Sequence, residues 1–485
     1  MSDYNASSKI LSRQRIITLK MLNRKRLPLL AGATLIAAIF SPVILTGYVS
    51  AKNGEVELAA HNYTAASDSF EQAASFLPWR DDLWEKAGIA ASEYGNPSDA
   101  ITFLNRSRNL SEQGWLAKGS SYFNIGDISS ALKTYQQGLQ VYDSAALYAG
   151  LAFIYRQQKD WFAESDVLKN QSRLNSADAY AQYRLGLLQT LLEPDKALPE
   201  LMRASALNPE ADPAVQTLRT ALNVSATQAA NPSQQMVTIG RALGLVQEWN
   251  LAIAAFEQAI KLNAQNAEAW AWLGEAKQQL GQDGIADLDQ AVALDNKSVI
   301  IRALRGLYWN RQNKYPQMLA EYLSAAKSEP ENPAWQASIG DAYFKSGDII
   351  SALTAYQRAT DLAPQDSTYW RLLAIFCADN GVHIEDIGLP AAQKAVDLAP
   401  ADSFALDVLG WSYLSSGRYA NAAKILSDVI ARFPNHLPAH IHLAMTYLAQ
   451  GNRTAAFDEL NYVRAADANG ADGLFAGQLL KKYFP

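Results

Sequence analysis

The chain has 485 residues, of which 49% are hydrophobic and 19% charged, so it has ample material for a packed core and wholesale disorder is excluded. Its single cysteine, Cys377, excludes an intrachain disulfide, so packing must supply the stability. The net charge is −6, yet residues 1–26 carry +6, which leaves −12 on the remainder. Since nucleic-acid binding depends on basic groups that displace counterions, so acidic a body excludes DNA and RNA as partners.

The N-terminal segment combines the basic residues 1–26 with an apolar run, residues 27–49, that contains no charge. As a helix this run would cover the roughly 30 Å hydrocarbon core of a bilayer. Because positive flanks stay cytoplasmic, we expect a cytoplasmic tail at 1–26, a transmembrane signal anchor at 27–49 and an extracytoplasmic remainder, in a single-pass membrane protein. The alternatives are a signal peptide cleaved near Ala51, which would give a secreted protein, and a buried soluble helix.

Small residues recur along the rest of the chain at intervals of about 34, a period typical of stacked helical hairpins. In the first half these residues are Gly54, Gly88, Gly119, Ala152 and Gly186. In the second half they are Gly240, Gly274, Gly306, Gly340, Ala374, Gly410 and Ala444.

The clearest repeat, residues 333–366, predicts two helices joined by a tight turn. In its first helix Gly340 and Tyr343 share one face, where the glycine lets a neighbouring helix approach closely. Gly347 ends that helix, because a residue without Cβ adopts the left-handed conformation at little cost. Pro364 stops the second helix. Neither helix can bury its apolar stripe alone, so we expect consecutive repeats to stack.

This order of small, aromatic and proline residues resembles the tetratricopeptide repeat. The resemblance implies an all-α fold, a right-handed α-solenoid of about twelve helix pairs, preceded here by the transmembrane helix. Its predicted parts are an N-terminal array at 50–211, a degenerate half-repeat or linker at 212–232, a C-terminal array at 233–470 and a capping helix at 471–485. The half-repeat predicts either a bend between two arrays or a degenerate repeat packed in line.

Catalytic and metal-binding motifs are lacking in the sequence. There is no GxxxxGK phosphate loop, no GxSxG elbow and no HExxH pair, so we expect neither enzymatic activity nor a cofactor. His436, His440 and His442 lie close in sequence, but no further ligand completes a metal set, and His440 occupies a position that packs between helices. Cys377 aligns with tyrosines of other repeats, which predicts a buried packing residue.

The first helices of tetratricopeptide repeats line the concave side of the superhelix, and the residue after each small residue faces that groove. This resemblance, with Arg371 added, implies partner-binding residues at Arg241, Glu275, Leu307, Asp341, Arg371, Ile375, Trp411 and Met445. The corresponding first-half positions are Glu55, Ile89, Ser120, Phe153 and Leu187. An alternative for Trp411 and Met445 is simple packing against the next helix.

The predicted function is that of a membrane-anchored extracytoplasmic scaffold for protein–protein interactions in assembling an envelope or secretion complex. The alternative is an accessory subunit of a polysaccharide polymerisation, export or glycosyltransferase machine. We expect protein or peptide partners in the concave groove and membrane contact through residues 27–49. Neither nucleic acid nor a metal ion is an expected partner.

Overall fold

A computed structural model describes residues 40–485, which form twenty-six α-helices and no β-strand. The chain divides into two compact units, of which the first ends at Leu222 and the second begins at Asn223. The helices of the first unit are α1 (40–59), α2 (Tyr63–Phe76), α3 (Asp82–Tyr94), α4 (Pro97–Arg106), α5 (Glu112–Asn124), α6 (Ile128–Val141), α7 (Ala145–Gln157), α8 (Trp161–Leu174), α9 (Ala179–Leu192) and α10 (Pro194–Leu207).

Helix α11 (Asp212–Thr227) contains the boundary between the two units. The second unit continues with α12 (Pro232–Leu245), α13 (Trp249–Leu262), α14 (Ala267–Gln279), α15 (Ile285–Leu294), α16 (Val299–Arg311), α17 (Tyr315–Ser328), α18 (Pro333–Lys345), α19 (Ile349–Leu362), α20 (Ser367–Asn380), α21 (Leu389–Leu398), α22 (Ser403–Ser415), α23 (Tyr419–Arg432), α24 (Leu437–Ala449), α25 (Arg453–Ala466) and α26 (Ala471–Tyr483).

Consecutive helices form antiparallel pairs, five of them from α1 to α10 and seven from α12 to α25, as the all-α repeat fold predicts. The first helix of a pair also contacts the first helix of the next pair, as α12 contacts α14 and α22 contacts α24. The second helices pack on first helices instead. Within each unit the first helices therefore form one face and the second helices the other.

The pair α18 and α19 confirms the prediction for residues 333–366. Gly347 follows α18 with a φ of +85°, the left-handed conformation that ends the helix. A Cβ on Gly340 would lie 3.0 Å from Cε2 of Tyr356 on α19, so the absence of a side chain allows the two helices to touch. Cys377 is fully buried in the adjacent cluster, where burial raises the pKa of its thiol to about 11.

Two repeats depart from the regular hairpin. In residues 267–298 the second helix, α15, has only 10 residues, and Gly284 lies directly against the backbone of Gly274. In residues 367–402 the lengthened connection forms a π-helical turn, Ile384–Gly388, which follows His383 in a left-handed conformation.

The predicted localisation is corrected by helix α1. Within residues 40–485 no helix is long and apolar enough to cross a membrane. Of the predicted span, 27–39 lies outside the described residues, whereas 40–49 belongs to α1, which continues to residue 59 and pairs with α2. Gly47 packs against Phe76 and Leu77, and the buried Ser50 donates a hydrogen bond to Gln72.

The assignment of a single-pass membrane protein is therefore wrong. The apolar run satisfied a length criterion for a bilayer span. The C-terminal part of this run is apolar for another reason. It belongs to the first helix of a repeat, which needs a stripe of small and apolar residues to pack on its partner helix. Ile44 and Ala51 both pack against the core cluster around Phe70.

Candidate functional site

On the first-helix face of the second unit, two predicted residues contact rings of neighbouring first helices. On α22 the indole of Trp411 stacks on the imidazole of His442 from α24, with ring centroids 4.3 Å apart and planes inclined by 25°. On α20 the Arg371 guanidinium lies 5.6 Å from the Phe404 ring centroid and donates a 2.8 Å hydrogen bond to Asp402. Trp411 and Arg371 thus take part in aromatic contacts between consecutive first helices.

A buried carboxylate positions this stack. Asp407, only 3% exposed, lies one helical turn before Trp411 and accepts a 2.8 Å hydrogen bond from Nδ1 of His442. Nε2 of His436 is 3.6 Å from the other carboxylate oxygen. Burial by itself raises the pKa of Asp407, but the charges and hydrogen bonds of the two histidines outweigh it and hold the pKa below its usual range.

The charge of His442 also acts on Asp379, which lies on the neighbouring helix α20. Burial raises the pKa of Asp379 to about 6, although the positive charge of His442 works against this shift. Asp407 binds Nδ1 of His442. The other ring nitrogen, Nε2, has no hydrogen-bond partner among residues 40–485. We refer to Arg371, Asp379, Asp407, Trp411 and His442 as the indole site.

His440 is engaged differently from the other two histidines. It is buried, Nδ1 lies 2.5 Å from a carboxylate oxygen of Glu459, and Nε2 donates to the Pro434 carbonyl at 3.0 Å. Its ring also lies against that of Tyr462. Both nitrogens are thus occupied, in agreement with the predicted packing role. In the part of the chain that the structure describes, no group of three His, Cys, Asp or Glu side chains has metal-binding geometry.

The other predicted groove residues of the second unit lie in separate surroundings. Arg241 is exposed and lies over the Trp272 ring, 5.0 Å from its centroid. Glu275 is buried in a bidentate ion pair with Arg311, at 2.6 and 2.7 Å.

Three further predicted positions in this unit differ in exposure. Leu307 is exposed, and Asp341 forms a 2.9 Å ion pair with Lys345 one turn further along α18. Ile375 and Met445 pack against hydrophobic clusters, and Trp411 packs on His442 of the next first helix, α24.

The first unit carries a mixed set at the corresponding positions. The Phe153 ring is exposed and meets Phe123 edge to face at 5.1 Å, whereas Leu187 is fully buried. Glu55 forms an ion pair with Lys86. A polar pocket lies elsewhere in this unit, lined by Glu112, Ser144 and Asp178 among others.

Three further residues of the first-helix face were not predicted, namely Asp407, His442 and Trp272. A signal for Asp407 exists, because it precedes Trp411 by four residues and hence shares its helix face. His442 precedes Met445 by three residues and shares its face in the same way. Their pairing across 35 residues depends on how two helix pairs stack, which spacing within one helix does not reveal.

Three segments of the second unit match models of known repeat families. Family models described as tetratricopeptide repeat match residues 337–403 and 413–474, and one described as TPR repeat matches 241–281. A curated relative, Superkiller complex protein 3 of Homo sapiens, is 23% identical over 58% of this chain and 18% of its own length. Its Mus musculus counterpart is 21% identical over 68% and 21%. The chain thus spans about a fifth of these relatives.

Solved structures with similar folds include yeast Tom70, at 13% identity, with coverage of 90% of this chain and 95% of that one and a TM-score of 0.39. A tetratricopeptide repeat protein from Parabacteroides merdae is 15% identical, with coverage of 52% and 98% and a TM-score of 0.43. Three segments of the second unit thus match tetratricopeptide repeat models, and the stacked helix pairs of the fold agree with these matches.

Proposed function

We propose that the protein is a scaffold that binds a segment of a partner protein on the first-helix face of its second unit. The observation that carries this proposal is the stack of Trp411 on His442, which the buried Asp407 holds in place. Tryptophan is enriched among the residues that dominate protein interfaces, because its large ring excludes water over a wide area. The indole site therefore supplies an anchor of the required type.

The chemistry of the site favours a segment with one apolar side chain and a neighbouring polar group. The apolar side chain would pack on the indole, beside Ile375. Nε2 of His442 can exchange a hydrogen bond with a backbone group of the partner, since Asp407 fixes the ring orientation through Nδ1. An extended or helical segment would then lie along α20, α22 and α24.

Photo-cross-linking in intact cells tests this proposal. A benzophenone amino acid replaces Asp379, a partly exposed residue near His442, and proteins that become attached are identified by mass spectrometry. We expect Trp411→Ala in the same background to abolish the capture of a discrete partner. The matched control is Leu245→Ala, which truncates an exposed leucine at the end of α12 and should leave capture unchanged.

Capture that survives Trp411→Ala would contradict the proposal. Because the substitution removes a packed ring, thermal unfolding of the purified variant is measured alongside. A second variant, His442→Gln, keeps a polar side chain but loses the stacked ring, so it should reduce capture as well. Loss of capture in both variants, with folded protein in each, would support the indole site as the anchor.

A further inference from the structure

A pocket of about 650 Å³ opens on the second-helix face. It lies between α17 and α19, the second helices of two consecutive pairs, and α18 closes it from below. Its floor is apolar, formed by Ile339 and Tyr343 of α18 with Ala355 of α19. This volume is in the range of pockets that bind small ligands or side chains of a partner.

The rim of the pocket exposes two aliphatic side chains. Leu323 of α17 is partly exposed, and Ile350 of α19 is 80% exposed, the largest value for a big hydrophobic residue within residues 40–485. Removing an isoleucine side chain from water is favourable, and Ile350 obtains almost none of this stabilisation within its own chain. The side chain is thus available to a partner.

The repeat architecture does not require an aliphatic residue at position 350. Ile350 is the second residue of α19, and the second residues of the other second helices are Thr64, Ser98, Ser129, Phe162, Asp195, Asn250, Ala286, Pro316, Pro390, Ala420 and Thr454. All but Phe162 are small, polar or proline. The exposed isoleucine is therefore a departure from the pattern, in the repeat that borders the pocket.

Two cations stand at the same pocket. Lys327 of α17 and Arg358 of α19 both line it, and no carboxylate is among its lining residues. Neither cation has an ion-pair or hydrogen-bond partner in the described part of the chain, whereas Arg302, Arg305 and Arg311 of the preceding first helix are all paired with carboxylates. A ligand with carboxylates would supply the missing counter-charges.

We propose that this pocket, formed by α17, α18 and α19, is a second docking site, which binds an acidic amphipathic segment of a partner protein. Its apolar side chains enter between Leu323 and Ile350, and its carboxylates pair with Lys327 and Arg358. The N-terminal residues 1–26 of the chain itself are disfavoured as the occupant, because their charge of +6 opposes that of the two cations. The scaffold would then hold two partners on opposite faces of one unit.

Fluorescence anisotropy of the purified full-length chain tests the site with a designed probe. The probe is a fluorescein-labelled peptide of about 15 residues, or about four helical turns, with leucines on one face and glutamates on the other. We expect saturable binding that weakens at high salt. Ile350→Ser and the double variant Lys327→Glu/Arg358→Glu should each weaken binding by about tenfold or more.

Control variants distinguish binding at this pocket from nonspecific hydrophobic binding and from binding at the indole site. Leu245→Ser changes another highly exposed aliphatic side chain of the same unit and should leave binding unchanged, as should Trp411→Ala. A probe with lysines in place of the glutamates should bind the wild type about tenfold more weakly and regain affinity for the double variant. Such a charge-swap rescue would not arise from misfolding.

Three outcomes would overturn the proposal. The first is equal affinity of the wild type and Ile350→Ser for the acidic probe. The second is binding of sodium dodecanoate without binding of the peptide, which would make the occupant a fatty acid. The third is a concentration-dependent dimer, seen by sedimentation, that Ile350→Ser abolishes, since a second copy of this chain would then be the occupant.

Discussion

Glu164 of the first unit and Asp407 of the second are both buried, but their carboxylates are satisfied in different ways. Glu164 on α8 is completely buried and accepts hydrogen bonds from Arg184 at 2.8 and 2.9 Å and from Arg156 at 2.7 Å. Asp407 on α22 is as deeply buried but has His442 and His436 beside it. An arginine keeps its charge at any physiological pH, whereas an imidazole can donate a hydrogen bond in its neutral form as well.

The two kinds of hydrogen-bond partner suit the two carboxylates to different roles. A carboxylate held by two guanidinium groups forms a fixed ion network, in which removal of one charge leaves the others buried without compensation. A carboxylate held by imidazoles tolerates a change of charge, and it lies beside a stacked indole on the first-helix face. We interpret the Glu164 network as a structural clamp and Asp407 as the support of the indole site.

The largest expected effect comes from Glu164→Gln. The amide cannot neutralise the Arg184 guanidinium, which is itself buried, so we expect a loss of about 3–5 kcal/mol in the local free energy of unfolding. Hydrogen-exchange mass spectrometry on peptides from α8 and α9 measures it. The matched control is Asp166→Asn on the same helix, an exposed ion pair with Lys169 that should cost less than about 1 kcal/mol. Equal effects of the two substitutions would refute the clamp.

Asp407→Asn should have a smaller effect, of about 1–2 kcal/mol, because the amide oxygen can still accept a hydrogen bond from Nδ1 of His442. Hydrogen exchange on α22 and α24 measures the loss. Asp458→Asn, at an exposed position of α25, is the control and should change nothing. A loss as large as that of Glu164→Gln would remove the distinction between the two carboxylates.

The effect of Asp407→Asn on stability should depend on pH. The folded pKa of Asp407 lies below the unfolded value of 3.8, so its carboxylate stabilises the fold above that value, and this stabilisation disappears as the pH falls through the folded pKa. The difference in the free energy of unfolding between the wild type and Asp407→Asn should have its full value at pH 7 and should shrink below pH of about 4. Urea titrations at several pH values test this. A difference that is independent of pH would contradict it.

Asp379→Asn should give the smallest effect, with the opposite sign. Burial raises the folded pKa of Asp379 from 3.8 to about 6, so the folded state loses stability as the pH rises through this interval. The uncharged variant should therefore be more stable than the wild type at pH 7, by less than about 1 kcal/mol because the residue is partly solvated, and equal to it below pH of about 4. A destabilised variant at pH 7 would show that the Asp379 charge supports His442 instead.

Some features of the fold could be predicted because they depend on residues close in sequence. A glycine such as Gly347 ends a helix through its own backbone conformation, and Gly340 and Tyr343 share a face through helical geometry. The period of about 34 then repeats these local rules. The burial of Cys377 followed from the same register.

The partners of the buried charges could not be predicted in this way. Glu164 and Arg184 are 20 residues apart, and Asp407 and His442 are 35 apart, so each pairing depends on the stacking of neighbouring helix pairs. The membrane assignment failed for a related reason, since the apolar stripe of a repeat helix and that of a bilayer span look alike over residues 40–49. Contact of Gly47 with Leu77 distinguishes the two.

Paired helices with a single period could be predicted from residues close in the chain, because helix starts, helix ends and apolar stripes obey rules that act within a few residues. The pairing of one buried carboxylate with arginine and of another with histidine followed only from the stacking of the helix pairs, as did the position of Ile350, Lys327 and Arg358 around one pocket. The physical reason is distance along the chain, since side chains of different helix pairs meet only after the pairs have stacked.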